Sequence, residues 1–416
     1  MQNVLKYLLI LGCLVLPWNA TAVNHGSLTD QLLGQKLGRN LVESLLVKSL
    51  LEITEGKTKE AFNTVNELIK AAPNFKLAYL IRGDLLSAQG RPLTDFGNPE
   101  VALERNKKGD EISGLRDEAK TRIEHYLSEK NTALQPNLLV KMSDVQQHII
   151  VVDTAKSRLF VYKKTNDGLQ YKADYYVTIG KNGVGKQVQG DKRTPLGVYF
   201  AGQKLTQPLA DMYGDGAYPL NYPNELDQHQ NKNGSGIWLH GTPTDTYSRP
   251  PRASDGCVVL SNPDLKALAP ILQRGKTPVI IADNIQWLDT SQSSNEIEAQ
   301  ASEKQALQKA IDDWRNDWIS QDTDDYLSHY SKKFFYSDGG FQKWADYKRG
   351  IQATKPKVAI EIEEISMFAY PGFEEPIILV NFVQDFRSPT LKNRMLKRQY
   401  WVNENGQWKI IYEGAA

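Results

Sequence analysis

The sequence predicts a multidomain α+β protein: a helical N-terminal region, a β-rich middle and an α+β C-terminal domain. Three observations carry this. Leucines recur at helical spacing early in the chain, the pattern switches to strand-like runs at His148, and from about residue 301 a helix is followed by long apolar segments of strand character. At 416 residues the chain has the length of two or three domains. Its composition, 40% hydrophobic and 24% charged with a mean hydropathy of -0.48, excludes a polytopic membrane protein. The net charge of +1 supplies no global field for nucleic acid or anionic lipid, so no nucleic-acid partner is expected and charge selectivity must be local.

Residues 1–22 read as a secretory signal peptide. Lys6 precedes an apolar run from Leu8 to Leu16 that is too short to span a bilayer, and Ala20-Thr21-Ala22 supplies small residues for cleavage. A lipoprotein site at Gly12-Cys13 fits less well, because the apolar run continues past it. With the mature chain starting near Val23, Cys257 is the one cysteine left. A single thiol in an exported protein has no internal disulfide partner, which favours a reactive role. The expected location is the periplasm or cell envelope.

The helical region, residues 23–140, begins with Leu32, Leu33, Leu37, Leu41, Leu45 and Leu46 at helical spacing. Ala61, Val65, Leu68, Pro73, Tyr79, Gly83 and Leu86 then follow the pattern of a tetratricopeptide repeat, with the glycine expected at a close helix contact. A single repeat leaves two readings open, a partner-binding solenoid or a helical domain packed on its neighbour. Charged residues 104–130 end in an amphipathic helix around Ile123 and Leu127.

Strands are expected in HIIVVDTAKSRLFVYKK from His148, and in YYVTIGKNG. The stretch Gly190 to Phe200 has the wrong spacing for a phosphate loop, and no helix is expected after it. The chemistry lies in GIWLHGTPTDTYSRPPRASDGCVVL, Gly236 to Leu260. A cysteine is nucleophilic as thiolate and needs a base in reach. Two strands joined by a loop of roughly a dozen residues place His240 and Cys257 at neighbouring strand ends, with Gly256 letting backbone N–H groups face a reacting oxygen. A lone cysteine beside aliphatic residues is otherwise a small buried hydrophobe.

His240-Gly241-Thr242, Ser254-Asp255-Gly256-Cys257 and the upstream Thr194-Pro195-Leu196-Gly197 together resemble the signature of the L,D-transpeptidase (YkuD-like) family, over residues 147–284. Two positions depart from the commonest pattern: Asp255 stands where histidine is usual, and Val259 where arginine is. The resemblance implies Cys257 as nucleophile, His240 as base, the Gly241 carbonyl orienting the imidazole, the Gly256 and Cys257 amides holding an oxyanion, and Ser254 hydrogen-bonding beside the site. No cofactor or metal is implied, and His229 has no companion ligand at metal-binding spacing. The long polar insertion before His240 is expected to be a lid, with Tyr218, Asn221 and Tyr222 touching peptide amides. Arg249 and Arg252 are candidates for gripping a substrate carboxylate, Arg252 ahead.

Residues 285–300 read as a linker. From 301 to 416, a helix over Ala301–Ile319 and strands carrying Trp314, Trp318, Tyr326, Phe334, Trp344 and Trp408 resemble the nuclear transport factor 2-like cone fold. His329 and Asp338 are read as structural. The three-domain plan resembles exported cell-shape peptidases and implies an enzyme acting on peptidoglycan stem peptides. Two outcomes fit, L,D-transpeptidation forming 3-3 cross-links or attaching proteins, and L,D-carboxypeptidase trimming of tetrapeptide to tripeptide. A reading of another class is a non-catalytic wall scaffold that recruits protein partners through its helical and C-terminal domains.

Overall fold

The computed structural model describes residues 41–90, 96–97, 107–128, 134–166, 168–291, 294–353 and 357–416. The expected signal peptide and the helical positions Leu32, Leu33 and Leu37 lie outside these residues. No helix among the described residues is long and apolar enough to cross a membrane.

Four helices open the described chain: α1 (Leu41–Thr54), α2 (Thr58–Ala71), α3 (Lys76–Ser87) and α4 (Lys107–Ser128). Ala61, Val65 and Leu68 of α2 recur at i, i+4 and i+7, so one face is apolar and packs against Leu46, Leu50, Phe75, Ile81 and Ile123. Pro73, Tyr79 and Leu86 of the repeat pattern do not join this core and are exposed. Gly83, expected at a close helix contact, faces open space, because a Cβ added there meets nothing within 4 Å.

Two short strands, β1 (Leu134–Pro136) and β2 (Leu139–Lys141), precede the β-rich domain. That domain contains β3 (His148–Asp153), β4 (Arg158–Thr165), β5 (Gly168–Tyr176), β6 (Ile179–Gly180), β7 (Gly197–Phe200), β8 (Ala217–Pro219), helix α5 (Glu225–His229), β9 (Trp238–His240), β10 (Arg252–Ser254), β11 (Val258–Val259), helix α6 (Asn262–Leu268) and β12 (Pro278–Ala282). The main sheet has the order β5-β4-β3-β12-β7, and beside it lies a three-stranded sheet β11-β9-β8. Strands β3 and β12 are apolar at almost every position because both faces are covered.

The C-terminal domain is reached through β13 (Trp287–Asp289). It comprises α7 (Asn295–Ser320), α8 (Thr323–Ser328), β14 (Tyr330–Tyr336), β15 (Gly339–Gly340), α9 (Phe341–Gln352), β16 (Ala359–Ala369), β17 (Ile377–Arg387), β18 (Lys392–Glu404) and β19 (Gln407–Ala415). Trp314, Tyr326, Phe334, Trp344, Trp401 and Trp408 pack between helices and sheet. A cavity of about 290 Å³ is lined by residues including Trp318, Tyr347, Lys348, Gln352 and Gln384. His329 does not line it and pairs with Asp317 at 2.7 Å, while Asp338 is exposed.

The segment expected to be a linker holds more structure than its polar composition predicts. Trp287–Asp289 pairs with β1, and α7 starts at Asn295, capped by the Ser294 side chain. Strand β2 crosses over to pair with β16, so the chain ahead of the β3-containing sheet completes the C-terminal one. The two domains also share one core, in which Ile149, Val151, Phe160, Val198 and Ile280 meet Phe368, Leu379 and Tyr400.

The insertion expected to be a lid is largely a strut. Ala217–Pro219 pairs antiparallel with β9, and Ala217, Tyr218, Leu220, Tyr222 and Leu226 are buried. Asn224 and Asp227 form a capping box that starts α5. That helix docks on the C-terminal domain: Arg398 pairs with Glu225 at 3.0 Å, the Tyr400 hydroxyl donates to Glu225 at 3.0 Å, and Asn224 donates to the Tyr370 hydroxyl at 2.8 Å.

Candidate active site

Two parallel strands carry the site. The register pairs Leu239 with Val258 and His240 with Val259. Extended by one residue it sets Cys257 opposite Trp238, and alternation along a strand then puts Trp238, His240 and Cys257 on one face. Tyr213 walls that face, its ring 5.0 Å from Trp238 and 5.1 Å from His240.

His240 is 2% exposed, and its Nδ1 lies 2.7 Å from the Gly241 carbonyl. A carbonyl accepts only, so Nδ1 carries the proton and Nε2 is left as the basic nitrogen. Burial pushes the imidazole pKa down to about 4; the Gly241 carbonyl opposes that shift and the Arg249 charge adds to it. Cys257 is partly exposed, and its thiol donates to the Gly236 carbonyl at 3.2 Å. Burial raises the thiol pKa and Asp255 adds to this, while an N–H from Trp238 and the charges of Arg249 and Lys186 work against it. Both shifts favour the uncharged forms, thiol and imidazole, over an ion pair.

Gly256 is required by the backbone. Its φ is +125° and a Cβ there would lie 2.8 Å from the Arg193 carbonyl oxygen. Thr194, first residue of the Thr-Pro-Leu-Gly motif, donates through Oγ1 to the Gly256 carbonyl at 2.9 Å and accepts from the Gly180 N–H at 2.9 Å. Beside it Asp191 organises a loop, accepting from Lys186 Nζ and from the N–H groups of Gln187, Val188 and Arg193. Ser254 is buried and donates to the Cys257 carbonyl at 2.6 Å.

The Gly256 N–H, expected to face a reacting oxygen, instead donates to Ser254 Oγ at 3.1 Å. The acceptor is two residues back, at the end of β10. The Cys257 N–H has no protein acceptor among the described residues.

The substrate-contact expectations fare unevenly. Tyr218 and Tyr222 are packed in the core, since β8 is a sheet strand and not a lid, and the Tyr222 hydroxyl donates to the Asn233 carbonyl. Asn221 Oδ1 is occupied by the Phe200 N–H at 2.6 Å. Arg252 is exposed on β10, which pairs with β6. Asp255 is exposed and paired with Lys181 at 3.1 Å, a contact worth little in water.

Arg249 is the arginine near the dyad. It is partly buried, its Nη2 donates to the Met212 carbonyl at 3.1 Å, and its charge acts on both Cys257 and His240. Its own carbonyl accepts from Tyr176 and from Thr178, each at 3.0 Å. The helical domain secures the residues on either side. Tyr247 packs in the helical core with its ring 4.9 Å from Phe75, its N–H donates to the Asn74 carbonyl, Ser248 donates to Glu118 at 2.5 Å, and Pro250 lies close against Gly114. Behind this seam, Arg122 and Arg158 are buried ion partners of Glu43, with Arg122 also paired to Glu118 and Arg158 to Asp174.

Tyr213 and Asn262 carry roles that sequence reasoning missed. Asn262 donates to the Thr242 carbonyl at 2.9 Å and accepts from the Asp215 N–H at 3.0 Å, tying the histidine loop to the insertion. It also sits so close to Gly241 and Gly214 that neither position has room for a side chain. In sequence, Ser261-Asn262-Pro263-Asp264 signals only a helix start.

Comparison with known proteins places these features. The L,D-transpeptidase catalytic domain (YkuD) matches residues 147–281, and the Cds6 C-terminal NTF2-like domain matches residues 306–414. Among solved structures, Bd1075 from Bdellovibrio bacteriovorus is 27% identical with a TM-score of 0.57, over 68% of this chain and 98% of that one. The helical cell shape determining protein Pgp2 from Campylobacter jejuni is 27% identical with a TM-score of 0.57, over 67% of this chain and 95% of its own. A point mutant of the same Campylobacter protein is 25% identical with a TM-score of 0.57, over 73% of this chain and 99% of its own. No curated protein matches.

Proposed function

We propose that this chain, which carries an L,D-transpeptidase catalytic domain over residues 147–281 and a Cds6-type NTF2-like domain over residues 306–414, is an exported enzyme that opens peptidoglycan stem peptides through an acyl-enzyme on Cys257. The observation that carries the reading is the shared strand face of His240 and Cys257, with His240 held as the Nδ1–H tautomer by Gly241.

In this reading the scissile bond joins the diamino acid at stem position three to D-alanine at position four. Cys257 Sγ attacks the carbonyl carbon as its proton passes to His240 Nε2. The Cys257 N–H receives the developing oxyanion, and one such donor is worth roughly two to three orders of magnitude in rate. His240 returns the proton to the departing amine, leaving a thioester on Cys257. Arg249 favours the thiolate.

An amine of a neighbouring stem then attacks the thioester to give a cross-link or an attached protein, the family's transpeptidase outcome. A second reading, attack by water to leave a trimmed tripeptide, is favoured by Asp255 and Val259, the two departures from the common motif. The similarity to a cell shape determining protein supports a role in shaping the wall.

The test is mass spectrometry of disaccharide-tetrapeptide incubated with the mature protein and with Cys257→Ala. A cross-linked dimer establishes the transpeptidase, and loss of one D-alanine without dimer establishes the carboxypeptidase. No product, together with no adduct of a carbapenem on Cys257, sinks the catalytic reading in favour of a scaffold.

A further inference from the structure

Arg249 stands out because its surroundings hold its backbone tightly and, among the described residues, leave its charge without an ion-pair partner. Its carbonyl is bonded by Tyr176 and Thr178, and the two residues before it are anchored on the helical domain through Asn74, Phe75 and Glu118. Among the described residues its side chain makes one bond, to the Met212 carbonyl, in the turn that also presents Tyr213 to His240. No carboxylate of the described residues lies within ion-pair distance of it; Asp255, whose charge reaches it, is exposed and pairs with Lys181. The other arginines that α4 and β4 bring to this seam, Arg122 and Arg158, are paired with Glu43, Glu118 and Asp174. A partly buried guanidinium with donors to spare is a receptor for an anion, and its planar fork suits a carboxylate.

We infer that Arg249 is a specificity-determining residue, which binds the free C-terminal carboxylate of the residue that departs in the reaction and so selects stem peptides ending one residue beyond the scissile bond. The inference rests on the acyl-enzyme reading above. A carboxylate placed there does a second service: burial holds down the basicity of His240 and the Arg249 charge adds to it, so a bound carboxylate removes the charge contribution and leaves that of burial. Arg252, exposed on β10, has no comparable seat.

The test separates this from the acyl-enzyme reading by measuring binding without turnover. In the Cys257→Ala background, dissociation constants are compared for three peptides: a tetrapeptide with a free terminal carboxylate, the same peptide as its terminal carboxamide, and one amidated at the side-chain carboxylate of the diamino acid. With Arg249 present the free acid binds roughly tenfold or more tightly than the terminal carboxamide, the scale of a charge-assisted bond. In Arg249→Gln the ratio falls to within about twofold, and Arg249→Lys, which keeps the charge but not the fork, lies between.

A ratio that survives Arg249→Gln overturns the inference. Discrimination confined to the side-chain amide, or no binding of any peptide, overturns it too. Turnover of the free acid by the protein with Cys257 intact reads the acyl-enzyme proposal independently: binding with the expected ratio but no turnover defeats that proposal and leaves the carboxylate site standing.

Discussion

Ser248, in the loop between the histidine and the cysteine, donates its hydroxyl proton to Glu118 on α4 at 2.5 Å. This contact makes the helical domain part of the scaffold of the proposed site, because the next residue is Arg249. Ser248→Ala leaves a buried carboxyl short of a donor, a loss of about 1–3 kcal/mol. Hydrogen exchange across residues 243–252 is expected to accelerate, with kcat/KM on tetrapeptide falling. Unchanged exchange there would detach the helical domain from the site.

The same seam is expected to make stability depend on acid. Burial would raise the Glu43 pKa, but Arg122 and Arg158 outweigh it and hold the carboxyl below its ordinary value. A depressed carboxylate contributes stability that is present above its unfolded pKa and lost as pH falls through the folded one. Glu43→Gln removes that contribution and leaves two buried arginines undercompensated, a cost of roughly 3–5 kcal/mol. Urea denaturation at neutral pH and at progressively lower pH checks both, and the variant's stability should respond less to acid.

The neutral dyad makes a kinetic prediction. With the thiol raised and the imidazole lowered, alkylation of Cys257 by iodoacetamide should keep rising with pH through and beyond the ordinary thiol range near about 8.5. His240→Ala should change that profile little while lowering turnover by roughly 10²–10⁴-fold. A plateau near neutrality that is lost in His240→Ala would show a preformed thiolate–imidazolium pair instead.

Gly256→Ala places a side chain at φ +125° and within 2.8 Å of the Arg193 carbonyl. The conformational cost alone is on the order of 1–2 kcal/mol. The expected result is a lower Tm together with a marked loss of Cys257 acylation, since the Thr194 tie to Gly256 must shift. Acylation at the normal rate would mean that the nucleophile does not depend on this turn.

The shared core predicts that the catalytic domain cannot be separated from the C-terminal domain. A fragment ending at Asp289 exposes the apolar side chains that meet Phe368, Leu379 and Tyr400, and it loses the Glu225–Arg398 contact. Such a fragment should aggregate or unfold without cooperativity, whereas the chain from Leu41 onward unfolds cooperatively. A stable, monomeric fragment would contradict this.

Local patterns announced much of this molecule. The 3.6-residue period of Ala61, Val65 and Leu68, the apolar run of His148–Asp153, the aromatic spacing after Trp314 and the motif around His240 and Cys257 all depend on neighbours in sequence, and so they can be read from it. The need for glycine at position 256 was legible for the same reason, although the direction of its N–H was not. Which residues complete the site was hidden as well. Tyr218 looks like a loop residue until β8 pairs with β9, and Tyr222 does until it packs against Tyr199 in the core. Sequence favoured Arg252 over Arg249, and only Tyr176, Thr178, Met212 and the helical domain show that Arg249 is the one whose charge acts on His240 and Cys257. The polar stretch around Trp287 reads as coil because its pairing partner, β1, lies some 150 residues earlier. Hydrogen bonds and ion pairs across such distances in sequence leave no periodic trace, so they emerge only when the chain is folded.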